Sequence, residues 1–77
     1  MKPGDLIKLK SFYISIYCVE ANSAETIEWT NDQIGLYLNW SGSYQNGKTS
    51  LARILVNDHI CIVDESKIET FNGWDNV

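Results

Sequence analysis

Seventy-seven residues carry six Lys and Arg against ten Asp and Glu, a net charge of −4, with 44% hydrophobic and 21% charged side chains. That length holds one small domain, and the composition excludes collagen-like, low-complexity and disordered chains. The negative balance opposes the basic footprint that phosphate-backbone binding requires, so nucleic acid is disfavoured as a partner.

The elements read in chain order as punctuated strands. In Asp5-Leu6-Ile7-Lys8-Leu9-Lys10, Ile7 and Leu9 share one face and the two lysines the other, the period of a strand. Phe12, Ile14, Ile16 and Cys18 then alternate with Tyr13, Ser15, Tyr17 and Val19, a β-branched and aromatic run of strong strand propensity. Residues 21–32 fit two readings. Asn22 followed by Glu25 resembles a capping box that opens one helical turn, whereas Thr26, Glu28 and Thr30 against Ile27 and Trp29 alternate as a short strand turning at Asn31-Asp32, the reading we favour. Ile34, Leu36, Leu38 and Trp40 form the next expected inward face, and Ser41 to Lys48 is a loop by composition. Two more alternating runs, 51–56 and 59–63, flank Asn57-Asp58, a hairpin signal. Asp64 to Lys67 suits one 3₁₀ turn, and Ile68 to Phe71 a last short strand. The sum is an all-β chain of five or six short strands in one domain over 1–77, a small antiparallel barrel.

The longest apolar runs, Ile60–Val63 and Ile54–Val56, fall far short of the roughly 20 residues that cross a bilayer as a helix, so no membrane partner is expected. Met1 to Asp5 lacks the apolar core of a leader peptide, which sets the expectation of an intracellular, reducing compartment. There Cys18 and Cys61 are expected as small buried hydrophobes rather than as a disulfide.

Gly42 to Thr49 spells G-x-x-x-x-G-K-[ST], and Ile60 to Glu65 resembles the apolar strand and acid that hold Mg²⁺ in nucleotide-binding enzymes. A phosphate-binding loop needs a long helix behind it, whose amides and dipole hold the anion. Residues 51–56 alternate as a strand, and a nucleotide site needs a crossover unit of about 30 residues that this chain cannot supply. Nucleotide binding through 42–49 is therefore only a remote alternative. His59 has no orienting partner within sequence reach, and two cysteines without C-x-x-C spacing make no zinc site. Glu20, Glu25, Glu28, Asp64 and Glu65 are explained as solvated charges. The expectation is no catalytic residue, metal, cofactor or small-molecule substrate.

The aromatic side chains are more informative, because nine Phe, Trp and Tyr exceed what one face of a small sheet conceals. With Ile14, Ile16, Cys18, Leu36, Leu38, Trp40, Ala52, Ile54, Val56, Ile60 and Ile62 assigned inward, the opposite face still holds Tyr13, Tyr17, Val19, Tyr37, Leu51, Leu55, Cys61 and Val63. Such a surplus either packs under the loops of a closed barrel or forms a partner surface. Tyr13, Tyr17, Tyr37, Leu55 and Trp74 are the candidate contacts.

The order Lys2-Pro3-Gly4-Asp5-Leu6-Ile7-Lys8-Leu9, Ile34-Gly35-Leu36-Tyr37-Leu38, Ala52-Arg53-Ile54-Leu55-Val56-Asn57-Asp58 and Val63-Asp64-Glu65-Ser66-Lys67-Ile68-Glu69 resembles the small SH3-like barrel proteins of tailed bacteriophages over about half the chain. These motifs encode strands and turns rather than a site. The resemblance implies a virion or accessory protein in the virion or host cytoplasm, binding viral or host proteins or copies of itself. The same barrel is similar to KOW modules that touch RNA or ribosomes, which is the alternative reading.

Overall fold

The computed structural model describes residues 1–19, 25–44 and 46–72. Among them the alternating runs become seven strands: β1 (Leu6–Leu9), β2 (Tyr13–Cys18), β3 (Thr26–Thr30), β4 (Gly35–Tyr44), β5 (Thr49–Val56), β6 (His59–Asp64) and β7 (Ile68–Thr70). A single 3₁₀ turn, η1 (Glu65–Lys67), precedes β7, its first amides capped by the Asp64 carboxylate accepting from the Ser66 N–H at 2.9 Å. The strands form one curled sheet, order β3-β2-β6-β5-β4-β1-β7, with every described neighbour pair antiparallel. The all-β class holds. The count is seven rather than five or six, and the sheet is a half-barrel with β3 and β7 as its edges.

The chain enters β1 through Lys2-Pro3-Gly4-Asp5. Pro3 presets its own φ, Gly4 takes φ +94°, and the Asp5 N–H closes the turn on the Lys2 carbonyl at 3.0 Å. The Asn57-Asp58 hairpin is as expected, and both residues hold positive φ, 52° and 65°. That backbone is a type I′ turn, whose twist matches the strands it joins.

The turn also sets which side chains are buried. It pairs Val56 with His59, and the register continues through Ile54↔Cys61 and Ala52↔Val63. Opposed residues share a face. Burial of Ala52, Ile54 and Val56 therefore carries Cys61 and Val63 inward and turns Ile60 and Ile62 outward, the reverse of the expected parity on β6. On β4, Ile7↔Gly35 and Tyr37↔Ile54 turn Gly35 and Tyr37 inward and Leu36 outward, again reversing the expected face.

Register shifts between Tyr37 and Asn39 and between Trp40 and Gly42 each leave one extra residue on β4, the pattern of a bulge. Beyond its two pairs with β1, β4 runs beside β5 alone. Ser41 to Tyr44, expected as loop, belongs to this extension, and Trp40, opposite buried Ala52, is 60% exposed there.

The core is the concave face: Ile7, Leu9, Ile16, Cys18, Trp29, Tyr37, Ala52, Ile54, Val56, Cys61, Val63 and Ile68, with Ile14 and Ile27 packed beside it. Trp29, from edge strand β3, is fully buried, and its indole N–H donates to the Gln33 carbonyl at 2.8 Å. A methyl group at Gly35 would lie 3.3 Å from the Leu55 carbonyl oxygen, 3.4 Å from Trp29 Cζ2 and 3.5 Å from Ile7 Cγ1. A side chain there is tight against the Leu55 carbonyl oxygen, at the place where the indole from edge strand β3 reaches the junction of β1 and β4. Replacing Gly35 by Ala is expected to destabilise the fold by about 1–2 kcal/mol through overpacking, and Trp29→Ala by about 3–5 kcal/mol through the cavity it leaves. Urea denaturation measures both; an unchanged midpoint for Gly35→Ala would remove this contact as a constraint.

Candidate functional site

Because opposed residues share a face, the register assembles the outer, convex surface residue by residue. Leu6↔Leu36, Leu36↔Leu55 and Leu55↔Ile60 place four aliphatic side chains in one row across β1, β4, β5 and β6. The Val19 N–H donates to the Ile60 carbonyl at 2.9 Å, which carries the row to the end of β2. Five strands at about 4.8 Å spacing make the row about 19 Å long. A second row lies beside it, with Thr26 opposite Tyr17, Tyr17 opposite Ile62 and Ile62 opposite Arg53. Leu6, Tyr17, Leu55 and Ile60 are all exposed in these rows. Arg53, exposed among them, makes no ion pair with any described residue.

The five sequence-chosen contacts separate accordingly. Tyr17, 52% exposed, and Leu55 lie on this face, one strand apart with β6 between them. Tyr13, 51% exposed, is on the same side of β2 but opposite Thr30, at the far end of the β2–β3 pair. Tyr37 is a core residue, 4% exposed, and offers no contact surface. Its phenol donates to Glu65 Oε2 at 3.1 Å and ties η1 to β4. Trp74 lies outside the described residues. Sequence reasoning did not place Leu6 and Arg53 on this face and assigned Leu36, Ile60 and Ile62 to the opposite one; the signal for Ile60 and Ile62 was the two-residue turn, which fixes their parity once Val56 is inward.

An open groove of about 330 Å³ lies beside the patch, lined by Ile14, Ile16, Tyr17, Ile62, Val63 and Lys67 among others. It forms because β2 and β6 pair only at Tyr17↔Ile62 and Cys18↔Cys61, leaving the first half of β2 bonded to β3 alone.

The remaining motifs occupy ordinary structural positions. In the 42–49 motif, Gly42 to Tyr44 end β4, Asn46 and Gly47 hold positive φ, and strand β5 rather than a helix follows Lys48. The six cations are dispersed over the N-terminal turn (Lys2), β1 and its end (Lys8, Lys10), the hairpin tip (Lys48), β5 (Arg53) and η1 (Lys67). Lys8 meets Glu69 across β1 and β7 at 3.7 Å, a half-exposed pair worth well under about 1 kcal/mol. Among the described residues no group of three or more His, Cys, Asp and Glu is placed to hold a metal ion, and no helix is long and apolar enough to cross a membrane. Cys18 and Cys61 are both buried and not joined by a disulfide, and the Cys61 thiol donates to the His59 carbonyl at 3.7 Å.

Comparison with protein-family models, with curated proteins and with solved structures gives no match.

Burial raises the Tyr37 pKa above its ordinary 10.0, and the hydrogen bond to Glu65 and that carboxylate's charge raise it further. The folded state therefore holds the phenol proton more tightly than the unfolded chain does, and this contribution is present below pH 10 and lost as pH rises beyond it. Tyr37→Phe should cost about 1 kcal/mol at neutral pH for the lost hydrogen bond. The gap to the parent should narrow above pH 10, read by urea unfolding of both proteins across the alkaline range. A gap that stays constant into strong alkali would show that Tyr37 does not contribute to alkaline unfolding.

Proposed function

We propose that this chain is a non-enzymatic protein-interaction module that docks through the convex face of its sheet. The observation that carries the reading is the continuous aliphatic row Leu6–Leu36–Leu55–Ile60–Val19, flanked by Tyr17 and Ile62, on a surface that no described element covers. Isolated exposed apolar residues are normal on any protein, whereas a contiguous stripe across five strands is the pattern of a contact surface. Tyrosine and arginine within it are the residue types that supply most interface energy.

The occupant whose chemistry fits is the apolar surface of another protein presenting a carboxylate to Arg53. The net charge of −4 disfavours a second copy of this chain in that place, because a copy brings the same excess of acids. The motif order shared with the small SH3-like barrel proteins of tailed bacteriophages makes a viral protein or a host protein met during infection the partner class, and a virion or accessory role the setting. A KOW-like nucleic-acid contact has less support, since the cations are scattered rather than gathered on one face.

A photo-crosslinking residue placed at position 55, expressed during infection, is expected to give one discrete adduct. Arg53→Glu should abolish it and Arg53→Lys should retain it in part, while light scattering of the purified chain reports a monomer. An adduct indifferent to Arg53→Glu and to Tyr17→Ala, no adduct at all, or a stable self-assembled species would each overturn the reading.

A further inference from the structure

We infer that Cys18 and Cys61 form an oxidative modification site: a cross-strand thiol pair on facing rungs of β2 and β6 that closes to an intramolecular disulfide and reopens on reduction. This holds whether or not the convex face docks a partner. The two residues are direct register partners, their sulfurs are 3.8 Å apart, and their side chains are 1% and 0% exposed.

The ladder makes this rung suitable. The Cys18 N–H is turned away from β6 and donates to the Glu25 carbonyl at 2.8 Å, while the next residue, Val19, donates across to Ile60. Cys18 and Cys61 are therefore a non-hydrogen-bonded pair, the position where antiparallel Cα atoms approach most closely, about 4.5 Å. That separation falls inside the range disulfides adopt, about 4.4–6.8 Å. Rotation of the two side chains brings the sulfurs from 3.8 Å to bonding distance without displacing a strand.

Access comes from the same seam. β2 and β6 share only two residue pairs, against six between β5 and β6, so this junction opens at lower cost than the β5–β6 ladder beside it. With a peroxide as oxidant, the thiolate of one cysteine attacks an oxygen, the O–O bond breaks, and a sulfenic acid and one water result. The second thiol attacks the sulfenic sulfur, the S–O bond breaks, and a second water leaves with the disulfide formed. Two thiols and one peroxide thus yield one disulfide and two waters. A dithiol reductant reverses the step by exchange. The bond would staple the β2–β3 hairpin to β6 at a junction of only two register pairs and link residues 43 apart in sequence, which restricts the unfolded state.

The test treats the folded full chain with hydrogen peroxide, and separately with oxidised glutathione, under native conditions. The expected result is a mass loss of about 2 Da for the two hydrogens, loss of both free thiols, no covalent dimer, and a Tm raised by several degrees that returns on reduction. Cys18→Ala and Cys61→Ala should each abolish the mass loss and the Tm rise. Two thiols that stay free, a sulfinic product, stable glutathione adducts on both cysteines, or an intermolecular dimer from the parent chain would overturn the inference. If either alanine variant fails to fold, mapping the disulfide-linked peptides of the oxidised parent decides the pairing alone.

Discussion

An open sheet of seven strands has two edges and one face to bury, and a large apolar side chain carried inward from one edge ties distant strands together across that face. Trp29 does this here. It leaves edge strand β3, enters the concave face and packs where Gly35 of β4 offers no side chain and Ile7 of β1 lies beside it. Removing an indole from water is worth about 5 kcal/mol at 25 cal/mol/Å² for some 200 Å², several times any exposed pair such as Lys8–Glu69. Its one polar atom is satisfied by the Gln33 carbonyl, so burial incurs no unpaired donor. Gln33 also donates its backbone N–H to the Thr30 carbonyl and accepts the Thr30 N–H on its side chain, so the end of the edge strand is closed by the turn that follows it.

Once the concave face is committed, the convex face follows from geometry. The inner layer holds no buried polar or charged residue among those described. The strands nevertheless carry aliphatic residues at outward positions, because Leu6, Leu36, Leu55 and Ile60 occupy the parity that the register leaves over. Burial of these side chains by the chain itself would need a second layer, and no described element supplies one. In a domain this small the core contributes only a few kcal/mol of net stability, and the outward aliphatic stripe adds no buried area to it.

The strand periods, the I′ hairpin, the 3₁₀ turn and the reading of 26–30 as a strand were all readable from local alternation and turn chemistry. Which face each strand buries was not, on β4 and β6, because hydrophobicity alone cannot choose between Ile60-x-Ile62 and Cys61-x-Val63. The deciding information was nonlocal but present: a two-residue turn forces Val56 opposite His59, and that pairing dictates the parity of everything beyond it. Tyr37 was misread for the same reason, its partner Ile54 and its hydrogen bond to Glu65 lying 17 and 28 residues away. The β4 bulges have no signal in composition, and the run Ser41 to Tyr44 looked like loop because small polar residues suit a two-stranded extension as well as a turn. Tyr17 and Leu55 were found correctly as outward residues, since both lie on strands whose parity the sequence pattern does resolve.

The seam between β2 and β6 connects these features. Strand β2 must follow β3 to keep Trp29 in place, while β6 is held by six pairs to β5, and the two departures leave only Tyr17↔Ile62 and Cys18↔Cys61 in common. One of these rungs puts Tyr17 and Ile62 on the convex patch; the other puts the two thiols in the core directly beneath it. The groove beside the patch is the same divergence seen from outside. A contact made by Tyr17 and Ile62 would therefore bear on a strand junction of only two register pairs, and a covalent link beneath it would set how far that junction can yield. The apolar surface, the groove and the cysteine pair are thus consequences of a single compromise between a hairpin anchored by tryptophan and a sheet aligned by its type I′ turn.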